Sequence, residues 1–260
     1  MNAIVLELLR LAPYVALVSL RVAFVLAMMP APFGEVAPMR IRAVLSFLLA
    51  LVLCIPHLSR APQLIIEPGP LLVAAVTEFF VGAVIGLTVR VTLATAEIAG
   101  TVAGNAMGLG FAGTIDPTFG DEAIPTTTIM NMLAVLTFFA LRGHHSVFEA
   151  LFASLALLPA GEPLHALQSL ELLSLGSNMV AQGLRIASPV VATMFIVQLG
   201  TALVARAAPR VQIFALSFGV LVSVGALVLV ASAPQVAGSI STSLSGLLPT
   251  LTRVLRGAGT

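Results

Sequence analysis

From Ile213 to Ala233 the chain reads IFALSFGVLVSVGALVLVASA, without one charged side chain. A helix needs roughly 20 apolar residues to cross the hydrocarbon of a bilayer. Such a run must pair its backbone groups within itself, and an α-helix does this. The rest of the chain agrees. Of 260 residues, 59% are hydrophobic and 9% charged, with a mean hydropathy of +1.10. A soluble domain carries roughly 25% charged residues. So few charges cannot cover a soluble surface of this size, which excludes a soluble Ala/Leu-rich helical protein. The expected fold class is all-α: a polytopic membrane-type helical protein, with one domain over residues 1–260.

The chain divides into about six apolar segments, with five to seven admissible. The first runs from about Ile4 to Met29 and contains Arg10 and Arg21. It reads as a retained helix, because Glu7 and the long apolar run do not suit a cleaved leader. Prolines 30, 32 and 38 mark a boundary before a second segment, Ile41 to Ile55. A third starts near Leu71 and is able to continue past Glu97 to Met107, too long for one simple span. Two shorter pieces flank Arg142 and would make a kinked span or re-entrant hairpin. Leu164–Leu184 and Pro189–Ala205 read as separate segments, and a short amphipathic tail follows Ala233. Arginine supplies all twelve basic residues, spread over successive links, so the positive-inside pattern gives no clear orientation.

Composition and motifs exclude several functions. The net charge of +1 gives no electrostatic case for nucleic acid. The single cysteine, Cys54, allows no intrachain disulfide and reads as a small buried hydrophobe. His57, His144, His145 and His165 have no acid or nucleophile at a recognised spacing. HExxH, GxSxG and Walker patterns are absent. No catalytic site, metal or cofactor is expected.

Two constellations point to assembly. Glu78, Arg90 and Glu97 lie within or beside apolar sequence, where an ionisable group must pair or face water. Arg90 and Glu97 are seven residues apart, about 10 Å along a helix axis, too far for easy pairing within it. The three form either a polar assembly or channel face, or interfacial helix ends. Gly82 and Gly86 are four apart, and Gly100, Gly104 and Gly108 repeat that spacing. On a helix this makes a smooth strip that lets another backbone approach. A flexible glycine-rich segment is the rival reading.

Between these apolar segments, residues 107–125 read MGLGFAGTIDPTFGDEAIP. Asp116-Pro117 favours a turn, and Gly108, Gly110, Gly113 and Gly120 give freedom. Open backbone of this kind belongs at a membrane surface or inside a protein-lined channel, not in hydrocarbon. Met107, Phe111, Ile115, Asp116, Pro117 and Phe119 are the candidate gate residues, with the phenylalanines as apolar bulk.

RVAFVLAMMPAPFGEVAPMRIRAVLSF (21–47) and EFFVGAVIGLTVRVTLATAEIAGTVAGNAMGLGFAGTIDPTFGDEAIPTTTIMNMLAVLTFFALRGHHSVFEAL (78–151) resemble the FliR/SctT (YscT/SpaR) family of type III secretion export proteins. The resemblance implies a subunit of the export gate in the bacterial inner membrane, in a flagellar basal body or virulence injectisome. It implies a closed helical cone built with about five FliP/SctR-like and about four FliQ/SctS-like subunits, an inference from family likeness. A FlhB/SctU-like switch protein is a further candidate partner. The resemblance further implies that unfolded flagellar or effector proteins pass through the cone, and that the central loop, about residues 106–122, is its plug. FGDEAIP leans to the virulence branch and GHH to the flagellar branch, which is preferred. A small-solute transporter would want duplicated half-repeats, which this chain lacks. A purely structural membrane subunit would leave the phenylalanine loop without a role.

Overall fold

The computed structural model describes residues 2–30, 37–56, 68–111, 124–162, 169–207 and 213–256. The described elements are helical: α1 (Asn2–Met28), α2 (Met39–Cys54), α3 (Pro68–Ala106), α4 (Pro125–Ala140), α5 (Gly143–Leu157), α6 (Ser169–Ala207), α7 (Ile213–Ala231) and α8 (Ala233–Arg256). A short 3-10 turn, Leu109–Phe111, follows α3. The chain is a polytopic helical membrane protein. Among the described residues, four stretches are long and apolar enough to cross a membrane: Leu11–Met28, Pro68–Ala106, Gly176–Ala207 and Ser217–Arg253. A fifth is added if α4 and α5 count as one broken span.

Proline chemistry accounts for where the segments run on and where they break. The sequence reading ends a segment before Pro189, yet α6 passes through it for 39 residues. Proline has no N–H to give the carbonyl of Arg185, four residues back. The Ser188 hydroxyl donates to that carbonyl instead, at 2.8 Å. The freed acceptor is therefore satisfied inside the helix, as lipid requires. Pro234 has the opposite effect. It stands in the first turn of α8, where a missing N–H costs nothing, and the chain pauses at Ser232 before it. The tail beyond is a full helix of 24 residues rather than a short end.

α3 runs unbroken for 39 residues, about 58 Å at 1.5 Å per residue. The hydroxyls of Thr77, Thr88 and Thr101 donate to carbonyls one turn back, so these polar side chains stay satisfied within an apolar helix. α4 opens with Pro125 at its first position. A break at Leu141–Arg142 separates α4 from α5, and Arg142 adopts the left-handed conformation there (φ 55°).

The chain forms two compact units. The first comprises residues 1–91, 142–175 and 243–260, and the second 92–141 and 176–242. In the first, Tyr14, Leu17, Val18, Val22 and Val25 make a buried stripe on α1 at helical spacing. Val81 and Ile85 of α3 and Leu151 and Leu155 of α5 are buried in the same unit. In the second, Ala96, Ala99 and Ala103 of α3 are buried, as are Met130, Ala134 and Phe138 of α4. Large apolar side chains elsewhere face outward, among them Val44, Leu48 and Val52 on α2 and Phe195, Ile196 and Leu203 on α6. A soluble protein rarely tolerates this; in a membrane protein such faces meet lipid or other chains.

Candidate functional site: a buried ion pair and close-packed glycines

Arg21 stands in the apolar run of α1 and Glu78 in that of α3. Both side chains are fully buried, at 0% exposure. Arg21 Nε donates to Glu78 Oε2 at 2.6 Å and Nη2 donates to Oε1 at 3.0 Å, a two-pronged pair. Nη1 donates to Ser154 Oγ on α5 at 2.9 Å, and Nη2 also reaches the carbonyl of Leu158 at 3.1 Å. The backbone N–H of Gly161 donates to Glu78 Oε1 at 3.3 Å. Ser154 in turn donates to the Leu151 carbonyl. Such satisfaction is what makes a buried charge tolerable: a guanidinium has five donors in a fixed fork, and a lone ion away from water costs several kcal/mol.

One turn beyond Glu78, Gly82 faces the α1 backbone. A Cβ there would lie 2.5 Å from the Arg21 carbonyl oxygen. At Gly86 it would meet Met28 Cβ at 2.8 Å. The missing side chains let α1 and α3 meet backbone to backbone beside the ion pair, which holds the two charged groups in reach.

The second unit repeats the device with other partners. A Cβ on Gly100 would lie 2.7 Å from the Thr126 carbonyl oxygen, and one on Gly104 would collide with Thr126 Oγ1 and Ile124. Thr126 Oγ1 donates to the Gly100 carbonyl at 2.7 Å, and the Thr101 and Thr127 hydroxyls lie 3.0 Å apart. The first turn of α4 is thereby fastened to α3. Gly108 differs from the rest of its row. It has open space where a Cβ would stand and a φ of +80°. Its N–H bonds the Asn105 carbonyl, so this glycine ends α3 instead of packing against it.

Of the loop residues, Met107 is buried, and its Cγ, Sδ and Cε occupy the space a Gly225 side chain would fill. The neighbouring Ala106 carbonyl accepts from Gln198 Nε2 at 3.0 Å. The start of the loop is thus anchored to α7 and α6. Phe111 closes the 3-10 turn. Ile115, Asp116, Pro117 and Phe119 lie outside the described residues. Arg90 is exposed on α3 and Glu97 half-buried, whereas Glu78 is withdrawn into its pair with Arg21. His144 and His145 sit side by side with ring centroids 4.6 Å apart. Among the described residues, no group of three or more His, Cys, Asp or Glu could hold a metal ion.

Sequence reasoning placed Glu78 but missed Arg21 as its partner. The available signal was an arginine inside an apolar run, which demands a buried counter-charge. The roles of Gly183, packed on Ile98, and of Gly225 were missed as well. Neither lies in a four-residue repeat.

Long apolar helices, a satisfied ion pair in their interior and backbone-close glycine contacts define a polytopic helical membrane protein. The profile of the bacterial export proteins, family 1, matches residues 12–247, and the chain belongs to that family. It is 32% identical over 164 residues to the flagellar biosynthetic protein FliR of Escherichia coli strain K12, covering 63% of each chain and so just under two thirds of that relative. It is 28% identical over 203 residues to FliR of Caulobacter vibrioides, covering 76% of this chain and 80% of the other. The Yop proteins translocation protein T of Yersinia pestis is 25% identical over 179 residues, covering 67% and 68%. The chain is a FliR/SctT-like membrane component of an export apparatus.

Proposed function

We propose that the chain is the FliR/SctT-like subunit of a type III export gate in the bacterial inner membrane, forming part of the channel for unfolded proteins. The family match over residues 12–247 carries this reading. The flagellar branch is preferred, since the E. coli flagellar relative is 32% identical and the Yop relative 25%. FliP/SctR-like and FliQ/SctS-like subunits are the partners, with a FlhB/SctU-like protein at the periphery. The chain's contribution is structural and gating rather than catalytic. The loop from about 106 to 122 is the plug, hung from the anchored Met107. Arg90, exposed on α3, is the member of the polar trio offered to an assembly or channel face, and Glu78 pairs with Arg21.

The test is the mass of the complex purified from native membranes in mild detergent. One copy of this chain within a hetero-oligomer is expected, together with loss of secretion when its gene is deleted. A stable homodimer that retains activity contradicts the proposal.

A further inference from the structure

A cavity of about 370 Å³ opens between α6 and α8 within the second unit. Its walls are Gln182, Arg185 and Ile186 of α6 and Gln235, Ser239 and Thr242 of α8. Ser239 Oγ donates to Gln182 Oε1 at 3.0 Å, and Thr242 Oγ1 donates to the Gly238 carbonyl at 2.9 Å. Both hydroxyl hydrogens are thus engaged inside the chain. The Arg185 guanidinium and the amide N–H groups of Gln182 and Gln235 remain as donors. Among the described residues no carboxylate reaches Arg185, its side chain makes no hydrogen bond, and no acidic residue lines the groove. The groove therefore presents one positive charge and a surplus of donors. A guanidinium fork matches a carboxylate with two parallel bonds.

The two helices that form the groove face outward with opposite character. On α6, Val180, Leu184 and Val191 expose apolar side chains on either side of Arg185. On α8, Val236, Ile240, Leu247 and Leu251 are buried, and among the described residues of that helix no large apolar side chain is exposed. Residues 233 to 253 run about 30 Å, whereas the headgroup region of one leaflet is about 5–8 Å deep. Lipid would leave most of the polar face of α8 against hydrocarbon. Water would leave the apolar side chains of α6 uncovered. The chain's own acidic stretch, Asp116 to Glu122, does not suit the groove either. It is tethered at Gly110 and Ile124, which lie against Asn105 and Gly104 of α3. Gly183 faces Thr95 and Ile98 of α3. Arg185, two residues on and about 200° round the helix, is turned away from α3.

We infer that this groove docks an amphipathic helix of another subunit, whose carboxylate pairs with Arg185 and accepts from the Gln182 and Gln235 amides. Apolar side chains of the same helix cover Val180 and Leu184, and its polar side chains meet α8. The inference rests on the reading of the chain as one subunit of a hetero-oligomer, and it adds the surface and the chemistry of the contact.

The experiment uses the complex purified from native membranes in mild detergent, its subunits weighed by native mass spectrometry. Arg185→Gln should lower the amount of one partner subunit retained per copy of this chain by about ten-fold or more, as expected when one member of a desolvated charge pair is removed. Arg185→Lys keeps the charge without the fork and should lose less. Helix content and thermal unfolding of the isolated full chain should not change in Arg185→Gln; earlier unfolding would make Arg185 a folding residue and overturn the inference. A photoreactive amino acid in place of Gln235 should give an adduct to a partner peptide that contains Asp or Glu. Arg185→Glu should abolish retention of that partner, and replacing the partner's acid with arginine should restore it. Unchanged retention in Arg185→Gln, no rescue by the exchanged charges, or an adduct only to lipid, to residues 112–123 or to a second copy of this chain overturns the inference while the hetero-oligomer stands. A parent chain that purifies without partners overturns both.

Discussion

Arg21 shows how one residue shapes a membrane protein. Its guanidinium is buried in the first unit and makes four hydrogen bonds, two of them to Glu78. Removing either partner leaves the other charge in a low-dielectric interior. Glu78→Ala is therefore expected to lower the unfolding free energy in detergent by about 3–5 kcal/mol. The double replacement Arg21→Met with Glu78→Leu should recover most of that loss, since a packed apolar pair replaces a buried ionic one without an orphaned charge. Thermal unfolding of the purified chain compares the three. A single variant as stable as the parent would show that the pair contributes no stability. Arg21 was visible in the sequence as an oddity. Its partner was not, because the two residues are 57 positions apart and no helical period links them.

At the scale of the elements, glycine decides where helices can touch. The four-residue row Gly100–Gly104 predicts a close approach, and the first turn of α4 lies against it. Gly104→Leu inserts a branched side chain into a space already held by Thr126 and Ile124. Overpacking typically costs about 1–3 kcal/mol, while a volume-conserving swap such as Leu93→Ile costs less than about 1.5 kcal/mol. The glycine variant should thus give less assembled complex than the leucine variant at equal expression, as read from native gels. Yields in the reverse order would remove the packing role. The Ser188 hydroxyl offers a finer probe. Ser188→Ala orphans the Arg185 carbonyl beside Pro189 and is expected to cost about 1–3 kcal/mol, checked by unfolding in detergent. Period and spacing made the glycine row legible. Continuity through Pro189 was not legible, because a proline by local rule marks a boundary, and the group that takes up the freed carbonyl shows only in the folded helix.

For the whole molecule, the question is whether the glycine-rich loop seals a channel. Phenylalanines can exclude water from a narrow bore, and glycines let a segment fold aside without backbone strain. Met107 is fixed against Gly225, so the loop starts from an anchored point within the second unit. Deleting residues 110–120 in an otherwise assembled complex should produce an ion leak across the membrane of non-secreting cells. Changing Phe111 and Phe119 together to alanine should produce a milder leak. Conductance recordings check both, and an assembled deletion complex as tight as the parent would falsify the plug.

The amino-acid sequence by itself determined the membrane class, the helical character and the approximate segments. These follow from local quantities: hydropathy over about 20 residues, proline positions and side-chain period. It also carried the export-family motifs, because they are contiguous. The tertiary structure alone decided that Glu78 meets Arg21, that Gly108 ends a helix while Gly100 and Gly104 pack, and that Met107 locks onto Gly225. Each of these depends on which side of one helix faces another. Four-residue spacing is shared by packing, turning and idle glycines, and a buried charge accepts any counter-charge that the fold brings within hydrogen-bond reach. Only the packed chain selects among them.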